Sequence, residues 1–178
     1  DFFIKQIVEF LNLNNYDEVI LIGHSLGGMI AQSITIQYPK LVKKLILIST
    51  TPSIPQSIRN KLNLVFVRMI FKLGYRKFLT NIIKRILSTK VETREFSKLY
   101  NNAIKLPKSV VLNTFKNMTS KFKPTKNIAD ISQPTLILYG NEDKVIPTSM
   151  IIKLGELIPK SEVVIIKDSS HRVLLVAD

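Results

Sequence analysis

The chain has 178 residues, 46% of them apolar and 22% charged, with no Cys, two His and a formal net charge of +13. One domain of that length buries about 70% of its unfolded surface, and the apolar content argues against disorder. Zero Cys excludes a disulfide framework, thiolate catalysis, Cys-held zinc and iron–sulfur clusters, and two His exclude a metal site built from several imidazoles.

In chain order, Phe2 to Leu13 carries apolar side chains at Phe3, Ile4, Ile7, Val8, Phe10 and Leu11, which is helical spacing. Asn12, Asn14, Asn15 and Asp17 mark a loop. Val19 to Ile22 is a short continuous apolar run, the pattern of a parallel strand buried on both faces. Gly23-His24-Ser25-Leu26-Gly27-Gly28 follows, and then an apolar helix over Leu26 to Tyr38, stopped by Pro39. Leu45 to Ile48 reads as a second buried strand. Helix, strand, helix, strand is the rhythm of an α/β fold with a mostly parallel sheet flanked by helices.

Residues 51–126 break that rhythm and read as an inserted helical lid. Tyr75, Phe78, Leu79, Ile82, Ile83, Ile86 and Leu87 form one stripe; Phe96, Leu99, Tyr100, Ala103 and Ile104 form another. Val111, Leu112, Phe115 and Met118 suggest a third, and Ile58 to Leu73 is helical but apolar on most sides. The α/β rhythm resumes over residues 127–178, with strands at Thr135 to Tyr139 and Glu162 to Ile166. Between them lies a helix capped by Thr148 or Ser149, running to Leu157 and ended by Pro159. The organisation expected is therefore a core segment over 1–50, the insert over 51–126 and a second core segment over 127–178.

The charge follows the same division. Gln56 to Lys126 holds 17 Lys and Arg against 2 Asp and Glu, a net of +15, while the rest of the chain sums to −2. Two readings compete: an anionic partner, or the solvated helical face that most charge runs turn out to be. No uncharged apolar run reaches the roughly 18 residues that span a bilayer. The best, Leu62 to Phe71, is interrupted by Asn63 and Arg68. The Cys-free sequence without a visible export signal leans toward the cytoplasm. Asp1 rather than Met opens the chain on a helical pattern, so a piece of a longer protein is expected.

The chemistry concentrates at Gly23-His24-Ser25-Leu26-Gly27, a G-x-S-x-G pattern between a strand and a helix. A sharp turn there lifts the Ser25 hydroxyl clear of the sheet. Side chains two positions before or after would collide with the chain, hence Gly23 and Gly27. The nucleophile's backbone is expected to be strained, with the positive end of the following helix facing the site. A serine needs a base. His24 is adjacent but diverges across the turn, which assigns it a structural or substrate-pocket role. His171, in a loop after a strand, is then the remaining base. The carboxylate that orients it is best placed at Asp143, past the end of a strand. Glu142 and Asp168 are rivals; Asp17 and Asp130 precede strands, at the opposite sheet edge.

GHSLGG, the GNEDKVIP turn and the DSSH loop resemble the α/β-hydrolase superfamily, specifically its lid-bearing serine hydrolases (esterase- or lipase-like). The resemblance implies Ser25 as nucleophile, Asp143 as acid and His171 as base, with the Leu26 N–H as one oxyanion donor. It implies hydrolysis of a carboxylic ester, thioester, lactone, amide or, in some branches, a carbon–carbon bond, with no cofactor and no metal. It further implies earlier strands and a His-Gly type loop that supplies a second oxyanion N–H, a donor whose loss costs roughly a hundredfold or more in rate.

Two classes of function follow. The first is an esterase acting on a small-molecule acyl substrate through an acyl-enzyme. The second is a non-catalytic scaffold that docks an anionic partner through the basic insert. No nucleic-acid partner is expected, since the chain has no Trp and no recognisable nucleic-acid module. A weak contact of the insert with anionic membrane remains compatible with either class.

Overall fold

The computed structural model describes residues 2–53, 72, 74–81, 83–84, 93–120 and 127–173, with side chains for all of these except 93–95 and 115–120. Two compact units are present, one formed by Asp1–Ser53 with Lys123–Asp178 and the other by Ile54–Phe122. Helix α1 (Phe2–Leu13) leads into β1 (Val19–His24), α2 (Leu26–Gln37), a 3₁₀ turn (Pro39–Leu41) and β2 (Val42–Ile48). In the second unit lie α3 (Thr93–Lys105) and α4 (Lys108–Ser120). The first unit resumes with a 3₁₀ turn (Ile128–Asp130), β3 (Thr135–Gly140), α5 (Thr148–Leu157) and β4 (Ser161–Ile166).

The four strands form one parallel sheet in the order β1-β2-β3-β4. Ile22 pairs with Ile46, Ile46 with Leu136, and Leu136 with Glu162. Because all strands run the same way, their carboxyl ends share one edge of the sheet, the edge at which open α/β sheets present ligand sites. Parallel neighbours need crossover connections, and the short one between β1 and β2 is α2. Its Ala31 packs into a core with Leu45, Leu47, Ile137, Tyr139, Ile151 and Leu154, so α2 and α5 cover one face of the sheet together. Ile34 joins Ile4, Val8 and Val42 in a second cluster that anchors α1.

The expected continuous burial of both faces holds for β2 at Leu45, Leu47 and Ile48 but not for β1, where Ile20 is 54% and Ile22 60% exposed. Those two side chains point away from the α2 face, as strand alternation requires, and β1 is an edge of the described sheet. Phe3 and Phe10 of α1 are likewise exposed, although helical spacing grouped them with the buried Ile4, Val8 and Leu11. Helix α5 begins at Thr148 with Pro147 as its cap residue and no side-chain capping bond, so neither Thr148 nor Ser149 caps it. The fixed φ of proline suits that entry without a capping side chain.

The unit 54–122 has its own interior. Tyr75 and Leu79 are buried against Phe78, Tyr100, Ala103, Val111 and Leu112, so the helical stripes of the sequence pack on one another. Phe96 stacks on Tyr100 at 5.9 Å between ring centres, and the Lys108 ammonium sits 5.4 Å from the centre of the Tyr75 ring. Arg76, Lys77 and Lys84 are exposed. The helix expected over Ile58 to Leu73, apart from Lys72, and the residues Ile82, Arg85, Ile86 and Leu87 lie outside the described residues, as do the side chains of Phe115 and Met118. No helix among the described residues is long and apolar enough to cross a membrane.

Candidate active site

Ser25 stands between the last residue of β1 and the first of α2, with φ 51° and ψ −118°. A non-glycine residue at positive φ is uncommon, and strain of this kind persists only where the surroundings enforce it. They do so here through the backbone: the Ser25 N–H donates to the Ile48 carbonyl at 2.9 Å, and the Ser25 carbonyl accepts from Gly28 and Met29 N–H at 3.0 and 3.2 Å. The turn brings residue 23 hard against the start of α2. A Cβ on Gly23 would lie 2.6 Å from the Gly27 carbonyl oxygen and 2.6 Å from the Gly28 Cα. The same crowding was expected at Gly27 and is not found: a Cβ there meets nothing within 4 Å. The glycine that is sterically required on the helix side is Gly28, where a Cβ would lie 2.6 Å from the Thr50 Cβ.

Asp143 lies in the turn after β3 and His171 in the loop after β4. The His171 Nδ1 is 2.8 Å from Asp143 Oδ2, and the His171 Nε2 is 3.0 Å from Ser25 Oγ. An ionised carboxylate only accepts. Nδ1 therefore carries the imidazole proton, Nε2 presents its lone pair, and the Ser25 hydroxyl donates to it. The other carboxylate oxygen of Asp143 accepts the Val145 and Ile146 N–H groups at 2.7 and 2.9 Å. Burial alone would raise the Asp143 pKa. The bonds from His171 and from the Ile146 and Val145 N–H groups outweigh it and hold the carboxyl below its ordinary value of 3.8. The side chains of His171 and Asp143 are 3% and 2% exposed, so this hydrogen bond is shielded from water.

The structure thus brings Ser25, His171 and Asp143 together. Glu142, Asp168, Asp17 and Asp130 are all exposed and none is a hydrogen-bond partner of His171. Leu26 is the first residue of α2, where N–H groups have no intrahelical acceptor and the helix dipole is positive. His24 reaches the loop that carries His171. Its Nε2 lies 2.8 Å from the His171 carbonyl oxygen, its ring centre 5.0 Å from that of His171. A carbonyl only accepts, so His24 carries its proton on Nε2. Burial lowers its pKa from 6.5; the bond to the His171 carbonyl opposes that shift, and the charge of a protonated His171 adds to it. His24 thus ties the end of β1 to the loop that carries His171.

Three further contacts were not visible in the sequence. The Thr50 hydroxyl donates to the Ser25 carbonyl at 2.7 Å. The Asn141 Oδ1 accepts the Ser169 N–H at 3.4 Å, and the Glu142 N–H donates to the Ser169 carbonyl at 2.9 Å, so the two site loops are joined. Thr50 lies two residues past the strand that neighbours the Ser25 turn, which is the single signal that could have singled it out. Among the described residues no group of His, Asp and Glu could hold a metal ion.

The chain is 31% identical, over an alignment of 188 residues, to the pimeloyl-[acyl-carrier protein] methyl ester esterase of Wigglesworthia glossinidia brevipalpis, covering 96% of this chain and 70% of that protein. It is 24% identical to the 2-hydroxy-6-oxo-6-(2'-aminophenyl)hexa-2,4-dienoic acid hydrolase of Metapseudomonas resinovorans, covering 97% of this chain and 60% of that protein. Among solved structures it superposes on an esterase from Exiguobacterium antarcticum with a TM-score of 0.84 at 18% identity, covering 97% of this chain and 66% of that one. The chain therefore spans between 60% and 70% of the length of these relatives. The match to the family described as alpha/beta hydrolase fold runs over residues 1–178; this chain belongs to that family.

Proposed function

We propose that the protein is a serine hydrolase of carboxylic esters, thioesters or lactones, acting through Ser25, His171 and Asp143 and an acyl-enzyme. The observation that carries this reading is the unbroken chain of contacts from Asp143 Oδ2 to His171 Nδ1 at 2.8 Å and from His171 Nε2 to Ser25 Oγ at 3.0 Å. A serine hydroxyl becomes a competent nucleophile when a base can take its proton as it attacks. Ser25 Oγ adds to the acyl carbon while its proton moves to His171 Nε2. The carbonyl oxygen, now anionic, is held by the Leu26 N–H at the positive end of α2. The C–O bond to the alcohol breaks, and the leaving oxygen takes the proton from His171. Water repeats the sequence on the acyl-Ser25 ester, releasing the acid. Throughout, Asp143 stays ionised and stabilises the imidazolium. The relative named as a methyl ester esterase supports the ester as the bond cleaved.

The test uses full-length protein and a short p-nitrophenyl ester. Wild type should release nitrophenol with a burst equal to its active sites. Ser25→Ala and His171→Ala should each lose at least about 10⁴-fold in kcat, and the double variant little more, because triad members act as a unit. A Ser25→Ala protein that keeps its esterase activity overturns the reading. A second reading, carbon–carbon bond hydrolysis, draws on the relative named for a 2-hydroxy-6-oxo-dienoic acid. Turnover of such an acid, with short esters refused, would put that reading first.

A further inference from the structure

The Ser25 carbonyl is crowded with donors. Two come from within α2, the Gly28 and Met29 N–H groups at 3.0 and 3.2 Å. The third and shortest comes from outside the helix, the Thr50 hydroxyl at 2.7 Å. Thr50 lies two residues beyond the end of β2, and the chain reaches it through Ser49, whose φ of 44° is again in the left-handed region. That turn sends Thr50 over the start of α2 instead of onward along the strand. Its side chain seats where Gly28 has none: a Cβ on Gly28 would lie 2.7 Å from both the Cγ2 and the Oγ1 of Thr50. Thr50 is 0% exposed, so water does not stand in for its hydroxyl.

The consequence comes from the peptide bond. The Ser25 carbonyl and the Leu26 N–H belong to one planar unit, in which the trans arrangement points them in opposite directions. Whatever fixes the carbonyl oxygen fixes the direction of the N–H. A donor on the carbonyl also polarises the amide and strengthens its N–H as a donor in turn. We propose that Thr50 is a positioning residue for the oxyanion donor: its hydroxyl holds the Ser25–Leu26 peptide so that the Leu26 N–H points at the oxyanion of the transition state. This rests on the hydrolase reading above. Gly28 and the bent backbone at Ser49 then share one purpose, which is to let the Thr50 side chain reach the back of that peptide.

The experiment compares Thr50→Val, which keeps the shape and loses the hydroxyl, with Thr50→Ser, which keeps the hydroxyl. It uses full-length protein, a p-nitrophenyl ester and a trifluoromethyl ketone that forms a tetrahedral adduct with the serine. A misdirected donor should cost less than the hundredfold or more of a deleted one, so Thr50→Val is expected to lower kcat about tenfold with KM within about twofold of wild type. Ketone affinity should fall in step with kcat/KM, since it reports transition-state binding. Thr50→Ser should recover most of both. A folded Thr50→Val with wild-type kcat overturns the proposal, as does a Thr50→Ser no better than Thr50→Val. If Thr50→Val does not fold, Thr50→Ser against Thr50→Ala reads the same hydroxyl, and equal kcat values overturn it. Labelling wild type with a fluorophosphonate separates the two readings. No label on Ser25 removes the hydrolase reading and this proposal with it. A labelled wild type with indifferent Thr50 variants removes this proposal alone.

Discussion

In the unit formed by residues 1–53 and 123–178, Asp143 and His171 are sealed from water and held 2.8 Å apart, and the fully buried Thr50 hydroxyl reaches the serine backbone. In the unit 54–122 the described interior is Tyr75, Leu79 and their apolar and aromatic neighbours, while Arg76, Lys77, Lys84, Lys98, Lys105 and Lys108 face solvent. The contrast separates two uses of polar residues. A polar group that is buried costs free energy unless partnered, so a buried polar chain such as Asp143–His171–Ser25 is kept only where geometry is needed. Exposed cations cost little and place a field around the molecule. The chemistry is therefore sought in the near-neutral unit and the long-range electrostatics in the basic one.

The largest effect that sharpens this contrast comes from Asp143. Replacing it with Asn leaves the shape but favours the wrong imidazole tautomer, and kcat on a short ester should fall about 10⁴-fold. The same variant has a pH signature. The folded-state pKa of Asp143 lies below its ordinary value of 3.8. Its ionised form therefore adds stability that is fully present above that value and lost as pH falls through the lower, folded one. The Tm difference between wild type and Asp143→Asn should be constant near neutrality and shrink in acid below about pH 4. A difference that does not change with pH would mean the carboxylate is not the stabilising form.

An intermediate effect comes from the glycines of the serine turn. Gly23→Ala drives a Cβ into backbone at 2.6 Å, and backbone cannot step aside as a flexible side chain can. A cost of about 1–3 kcal/mol or more is expected in urea unfolding. Gly27→Ala has open space and lies in α2, so it should be neutral or stabilise by up to about 1 kcal/mol. Equal losses at both positions would restore the symmetric crowding that the G-x-S-x-G spacing suggested.

That pair shows how far the sequence reaches. The strands and the parallel sense of the sheet were legible because apolar runs and helical spacing carry them directly, and the serine turn because the G-x-S-x-G pattern falls between a strand and a helix. His171 was legible because only two His exist, and Asp143 because a turn past a strand end places it at the carboxyl edge of the sheet. What stayed hidden depends on packing between segments distant in sequence. The spacing cannot say that Gly28 rather than Gly27 meets a neighbour, because that neighbour is Thr50, brought across by the bend at Ser49. Nor can an apolar run say which of its faces is covered: Val19 to Ile22 and Leu45 to Ile48 look alike, yet Ile20 and Ile22 are exposed where Ile48 is not. The bond from His24 to the His171 carbonyl spans 147 positions, and no local pattern encodes it.

The smallest expected effect belongs to the basic unit. Its stripe residues Tyr75 and Leu79 are already buried within that unit, against Tyr100, Ala103, Val111 and Leu112. They are therefore not available to insert into lipid without breaking that packing. Among the described residues, contact with an anionic membrane would then fall to the exposed lysines and arginines, with only the scattered Leu99, Ile104, Leu106 and Val110 as exposed apolar side chains beside them. Each such cation near an anionic surface contributes on the order of 1 kcal/mol, and the attraction fades over about 10 Å at 0.1 M salt. Co-sedimentation with phosphatidylserine-containing vesicles should accordingly be weak at low salt and absent at physiological salt. Changing Arg76, Lys77 and Lys84 together to Gln should weaken the low-salt binding and leave ester turnover unchanged. Tight binding that survives salt would require apolar side chains in the bilayer. It would break the division between a basic surface that acts at a distance and a buried site that acts by contact.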